Sequence, residues 1–197
     1  MPTLRTSRSK LRFAPLTPER WEDLEELFGK SGAYAGCWCM WWRVTRSRFD
    51  REHGSGNRRA FRKIVQSGEV PGILAYASGK PVGWCSVAPR ETFSSLNRSP
   101  VLKKLDDEPV WSIVCLFVTR AYRGKGITVE LIRAAVRYVR ERGGRLIEAY
   151  PTDPRGKRLQ PVSSFMGTPS VFAKAGFREC ARPSEAKVIM RCPANGI

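Results

Sequence analysis

From Val110 to about Arg142 the chain reads as an apolar strand, a basic loop holding two glycines, and a helix; a second strand follows from Arg145 to Tyr150. Val110 to Val118 is a near-continuous apolar run. Ile127, Leu131, Ile132, Ala135 and Val139 then recur at helical spacing and make one apolar stripe. Gly143 and Gly144 stop the helix. Antiparallel neighbours need only a tight turn, whereas parallel neighbours need a crossover of about a dozen residues or more. The order strand, helix, strand therefore predicts a parallel crossover unit, and with it an α/β fold.

The loop inside this unit is Thr119-Arg120-Ala121-Tyr122-Arg123-Gly124-Lys125-Gly126, and Ile127-Thr128 opens the helix. A helix N-terminus presents unpaired N–H groups and partial positive charge. Glycines beside it let an anion approach the backbone, and Arg123 and Lys125 add full charges. The segment is suited to a phosphate-bearing ligand.

The other elements follow from local signals. Residues 1–9 are expected to be a flexible basic arm, with residues 10–197 forming one domain. Arg12-Phe13-Ala14 reads as a short strand. Thr17-Pro18-Glu19 reads as the start of a helix reaching Phe28, with Trp21, Leu24, Leu27 and Phe28 on one face. Residues 33–56 read as irregular, and Asn57 is expected to cap a helix running to about Gln66. Ser78-Gly79-Lys80-Pro81 is a turn between strands Ile73–Tyr76 and Val82–Val87. Residues 89–109 form a long polar loop with short helices. A short helix over 168–176 and two antiparallel strands, Phe177–Cys180 and Ala186–Met190, complete the chain.

Composition narrows the classes. No apolar run approaches the ~18 residues that span a bilayer, and no apolar stretch follows the N-terminal charges, so a cytoplasmic protein is expected. Six cysteines are too few for a disulfide scaffold, so free thiols in a reducing compartment are expected. Cys37 and Cys39 form a C-x-C pair without a second close pair, and His53 is the only histidine, so no metal site is expected.

Three glycine motifs compete. G-x-x-x-x-G-K-[ST] is absent. G-x-G-x-x-G fits Gly124 and Gly126, but Val129 stands in the third place, and the loop after Val118 is too long for the tight turn of a dinucleotide fold. The third, [Q/R]-x-x-G-x-[G/A], is matched by Arg123-Gly124-Lys125-Gly126-Ile127-Thr128, with Thr128 in place of a small residue. This segment resembles the acetyl-CoA-binding segment of the GNAT N-acetyltransferase superfamily. Phe172-Ala173-Lys174-Ala175-Gly176-Phe177 is similar to that superfamily's late Y-x-K-x-G-F block, and the element order agrees over about residues 11–191.

The resemblance implies a GNAT-like mixed, twisted central sheet flanked by helices. It also implies acetyl transfer from acetyl-CoA to an amine, small or protein-borne. Arg123, Gly124, Lys125, Gly126, Ile127 and Thr128 would wrap the pyrophosphate. Leu116, Phe117 and Val118 would pair with the pantetheine arm and stabilise the oxyanion through a main-chain N–H. Phe172 and Lys174 belong to the late block near the cofactor. Phe172 stands where relatives carry a tyrosine that protonates the leaving thiolate.

Glu148 and Tyr150 alternate on one face of the strand after the crossover helix. Glu148 is a candidate base, directly or through water, or else an arginine partner. Tyr150 is a substitute acid, and Ser112, where relatives often place an acidic base, can order a water. Glu91 and Glu108 are weaker candidates. Trp38, Trp41 and Trp42 either wall an acceptor pocket, with Arg43 for an acidic group, or form a plug closing the core.

The net charge is +17. Coenzyme A, at about −4 by its phosphates, does not balance it. Residues 43–63 and 120–145 each hold eight basic residues against two acidic. A nucleic-acid or other acidic partner, a nucleic-acid binder on an acyltransferase-like fold, and a solvated basic surface all stay open.

Overall fold

The computed structural model of the protein describes residues 11–156 and 164–196, so the expected arm at 1–9 lies outside them. Its centre is a seven-stranded sheet built from β1 (Arg12–Pro15), β2 (Gly72–Ala77), β3 (Lys80–Pro89), β4 (Trp111–Val118), β5 (Leu146–Ala149), β6 (Arg178–Ser184) and β7 (Lys187–Pro193). The strand order is β1-β2-β3-β4-β5-β7-β6. All neighbours are antiparallel except β4 and β5, which the crossover helix α5 (Ile127–Glu141) makes parallel. The mixed sheet and its parallel unit agree with the sequence expectation.

α5 and α6 (Pro169–Lys174) cover one face. The α5 stripe of Ile127, Leu131, Ile132, Ala135 and Val139 is buried against β2–β4, together with Phe172 and Phe177. The other face is divided. α1 (Trp21–Phe28) and α3 (Ser55–Gln66) pack over β2 and β3 through Leu24, Phe28, Phe61, Val65 and Trp84. The long connection after β3, with α4 (Ser94–Asn97), covers β4, β5 and β7 through Phe93, Leu96 and Leu102.

Two expectations change. Residues 33–56 contain a helix, α2 (Arg46–Arg51), whose N-cap Thr45 accepts from the Arg48 N–H at 3.3 Å. α3 begins at Ser55 rather than at an Asn57 cap, because Gly54 at φ +73° makes the entry turn and donates to the Gly36 carbonyl at 3.2 Å. Asn57 is buried in the first turn, and its amide reaches the same Gly36 carbonyl at 3.2 Å.

Two irregularities shape β4. Ser86 pairs with Cys115 but Val87 with Ile113, so Val114 is an extra, bulged residue. The bulge puts consecutive residues Val114 and Cys115 among the clusters of the same face. In addition, β4 and β5 pair only at Trp111–Ile113 with Ile147–Ala149. Beyond that point Leu116 N–H donates to the Phe165 carbonyl at 2.6 Å and Thr152 N–H to the Gly167 carbonyl at 3.0 Å. Residues 165–167 thus bond to both strands past the end of their pairing. No helix among the described residues is long and apolar enough to cross a membrane.

Candidate active site

β4 ends at Val118, and a 3-10 turn (Arg120–Tyr122) carries the chain to the glycines. Gly124 at φ +74° and Gly126 at φ +79° adopt the left-handed conformation that side chains resist. A Cβ at either would meet nothing within 4 Å, so their faces are open. Gly126 is the N-cap of α5. Among the described residues, the N–H groups of 124–128 make no main-chain hydrogen bond. Five unpaired donors at the positive end of a fifteen-residue helix are the geometry that receives phosphate.

The side chains complete the cradle. Arg123 and Lys125 are exposed. Arg123 Nε donates to the Val118 carbonyl at 2.9 Å, tying the loop to the end of β4, and Lys125 Nζ lies 5.0 Å from the Tyr122 ring centre. Thr128 is only half-buried, so its hydroxyl is not forced into the core. The residues present fit a coenzyme A pyrophosphate. The strand end fits less freely, since the Leu116 N–H is already given to Phe165 and the Val118 carbonyl to Arg123. The late block lies behind the site. Phe172 is fully buried against Phe177, with ring centres 5.1 Å apart, and the Lys174 carbonyl accepts from Arg133 of α5 at 2.8 Å.

Ser112, Glu148 and Tyr150 do come together, in a fully buried network. Tyr150 donates to Glu148 Oε1 at 2.6 Å and lies 2.8 Å from the Ser112 hydroxyl. Arg90 Nη1 reaches Glu148 Oε1 at 2.8 Å and the Tyr150 oxygen at 2.7 Å, while its Nη2 donates to the Leu102 carbonyl at 2.6 Å. Arg191 Nε takes Glu148 Oε2 at 2.8 Å, and its other nitrogens clasp Asp106 at 2.5 and 3.0 Å. Both oxygens of Glu148 are therefore engaged by guanidiniums. Burial, with the neighbouring carboxylate, pushes the Tyr150 hydroxyl well above the usual phenol range. A small cavity of about 10 Å³ lies beside Glu148 and is lined by Arg90, Glu91, Asp106, Glu108 and Arg191. It has room for about one water.

The tryptophans do not share one wall. Trp38 is buried between Trp21 and Phe28, at 6.2 and 5.7 Å between ring centres, and helps close the core. Trp41 stands on Phe49 at 5.1 Å under Arg46. Trp42 packs with the Phe93 and Tyr150 cluster. Arg43 is buried over the Phe93 ring at 4.9 Å and pairs with Glu69 at 2.9 Å. Sequence reading left unnamed the two arginines that hold Glu148, and Phe165, which gives its carbonyl to the Leu116 N–H and packs its ring on the Phe93 and Tyr150 cluster. Among the described residues no group of histidine, cysteine and carboxylate side chains could hold a metal ion.

The sequence model of the Acetyltransferase (GNAT) family matches residues 21–160. Solved structures share the fold. The PaiA N-acetyltransferase from Thermoplasma acidophilum, in complex with coenzyme A, is 15% identical with a TM-score of 0.52 over 93% of this chain and 99% of that one. A GNAT-family acetyltransferase from Streptococcus agalactiae is 12% identical, with a TM-score of 0.56 over 95% and 97%. One from Listeria monocytogenes is 10% identical, with a TM-score of 0.55 over 93% and 94%. No curated protein matches the chain in sequence.

Proposed function

The chain belongs to the acetyltransferase (GNAT) family, which uses acetyl-CoA, and from that premise we propose that it moves the acetyl group to a primary amine by direct attack on the thioester. The observation that carries this is the open loop at 123–128, with five unpaired N–H groups at the α5 N-terminus and Arg123 and Lys125 beside them. In this reading the loop holds the pyrophosphate, and the pantetheine arm runs along Leu116, Phe117 and Val118. The acetyl carbonyl receives the Leu116 N–H once the Phe165 carbonyl gives it up.

The buried network bears on the acceptor. Glu148, Tyr150 and Ser112 are enclosed, and Glu148 is shared by Arg90 and Arg191. We assign these three to holding β4 and β5 in register rather than to meeting the amine. Without a buried carboxylate to take its proton, the amine must arrive neutral. A lysine-like amine of pKa ~10.4 is neutral about once in 10³ at pH 7, which costs roughly 4–5 kcal/mol, whereas an α-amine of ~7.8 costs about 1 kcal/mol. An acceptor with a weakly basic amine is therefore favoured. Trp42 and Arg43 face the same cluster as Tyr150 and are the acceptor-side residues of this proposal.

The test is acetyl-CoA-dependent thiol release with a panel of amines at pH 7. α-Amines and other weakly basic amines are expected to be preferred over lysine-type amines by about a hundredfold or more at equal pH, from a difference in neutral fraction of a few hundredfold. Equal rates for both classes refute the acceptor assignment. No thermal shift on adding acetyl-CoA and no thiol release with any amine refute the transferase reading itself.

A further inference from the structure

β4 and β5 part company after Ile113 and Ala149, and a stretch of this same chain fills the opening. On one side β4 continues to Val118, with Leu116 still paired to Cys85 of β3. On the other side the chain runs on from β5 to Thr152, which pairs with Lys187. Residues 165–167 lie between the two. The Leu116 N–H donates to the Phe165 carbonyl at 2.6 Å, and the Thr152 N–H to the Gly167 carbonyl at 3.0 Å.

Main-chain polarity explains the insertion. A strand edge inside a sheet carries N–H groups that cost free energy when they are buried unpaired. Leu116 and Thr152 are both buried, so their amides need acceptors from the chain or from a ligand. Two carbonyls of the 165–167 stretch supply them. The close approach depends on glycine: at Gly167, φ +75°, a Cβ would lie 2.9 Å from Phe172 Cε2 and 3.1 Å from Leu116 Cδ1.

The stretch is held lightly. Among the described residues, those two bonds are the only main-chain ones joining it to β4 and to the run after β5. Exchanging one main-chain hydrogen bond for another costs little. Side chains add to the hold. The half-buried Phe165 ring packs on the Phe93 and Tyr150 cluster, which includes the buried Met166. Lys187 Nζ bridges the Met166 sulfur at 3.6 Å and Thr152 Oγ1 at 2.8 Å.

The donor that this stretch takes from β4 is the one an acetyl thioester needs. That statement rests on the function proposed above, in which Leu116, Phe117 and Val118 receive the pantetheine arm. A single N–H makes one good hydrogen bond. We propose that residues 165–167 are a strap that stands in for the arm of acetyl-CoA, so that the donor binds by displacing it and the strap closes again when coenzyme A leaves. The loop at 123–128 makes no hydrogen bond to 165–167 among the described residues, so the pyrophosphate can dock while the strap is still seated. The strap then weakens the apparent affinity, because the dissociation constant is the intrinsic one divided by the fraction of molecules whose strap is displaced.

The test combines calorimetric titration with NMR-detected amide hydrogen exchange on the full chain, alone and with saturating acetyl-CoA. Thr152, deprived of the Gly167 carbonyl, is expected to exchange about tenfold faster or more with acetyl-CoA bound, while Leu116 stays protected. Adenosine diphosphate, which has the pyrophosphate but no arm, is expected to leave Thr152 as slow as in the protein alone. Phe165→Ala removes the ring anchor and keeps the carbonyl, and is expected to bind acetyl-CoA about tenfold more tightly. No calorimetric binding of acetyl-CoA would refute the transferase reading on which the strap rests. Binding with Thr152 equally or better protected, release of Thr152 by adenosine diphosphate alone, or an affinity in Phe165→Ala no higher than the parent's would overturn the strap and leave that reading standing. Should Phe165→Ala not fold, exchange in the unaltered chain decides.

Discussion

Gly126→Ala separates what the α5 N-terminus does for the fold from what it does for the ligand. Gly126 sits at φ +79° and Gly143, at the other end of the same helix, at φ +77°. An added Cβ meets nothing within 4 Å at either position. Both alanines therefore carry the same conformational penalty and no clash, about 1–2 kcal/mol for an L residue in the left-handed region. For a chain of this length each kcal/mol lowers Tm by about 2–4 °C, so both variants are expected to melt about 2–8 °C below the parent. Only Gly126 lies in the anion cradle. If its backbone relaxes to negative φ, the N–H groups on either side turn away. Losing one hydrogen bond to a charged group weakens binding by about 1.5–3 kcal/mol, roughly ten- to a hundredfold in Kd. Calorimetric titration with acetyl-CoA and thermal unfolding of both variants make the comparison. The reasoning fails if Gly126→Ala binds acetyl-CoA as tightly as the parent, or if Gly143→Ala weakens binding equally.

Two further outcomes concern the buried network. Glu148→Gln keeps the shape but leaves Arg90, whose side chain is 2% exposed, without a carboxylate, and is expected to cost about 3–5 kcal/mol in urea unfolding. A loss below about 1 kcal/mol would mean that the arginines find other partners. Asp106 gives an acid-side signature. The Arg191 guanidinium holds its carboxyl below the usual carboxylate range, so the unfolded chain binds the proton more readily. This contribution is present above about pH 4 and is lost as pH falls through the lower folded value. Urea midpoints measured from pH 5 downward are expected to fall less steeply for Asp106→Asn than for the parent; parallel curves would remove Asp106 from the account.

The parts of the fold legible in the sequence are those set by neighbours along the chain. The stripe from Ile127 to Val139, the stop at Gly143 and the Ser78-Gly79 turn, with φ of +51° and +81°, each follow from a few adjacent residues. The open loop at 124–126 was legible for the same reason, since a requirement for positive φ writes itself as glycine. The surroundings of Glu148 were not. Its guanidiniums come from 58 and 43 residues away, and nothing local marks Arg90 and Arg191 among 35 lysines and arginines. The β4 bulge shows no residue signal either, yet it places the consecutive residues Val114 and Cys115 on the same face. Phe165 meets β4 through its carbonyl, which every residue possesses. The tryptophans were ambiguous because a core plug and a pocket wall use the same side chains; the packing puts Trp38 and Trp41 in one cluster and Trp42 in another.

The Glu148 network also has an order of assembly. Arg90 lies before β4 and Asp106 in the connection between them, so both precede Glu148 in the chain, while Arg191 lies in β7 and is made last. A nascent chain can complete β4, α5 and β5 and pair Glu148 with Arg90 while Oε2 still lacks its partner. β7 then lies between β5 and β6 in the sheet, so the C-terminal hairpin docks by its β7 edge, and Arg191 arrives with that edge to take Oε2 and Asp106 together. Truncations before β7 are therefore expected to leave the loop at 123–128 intact but attached to a sheet in which Glu148 Oε2 has lost its arginine.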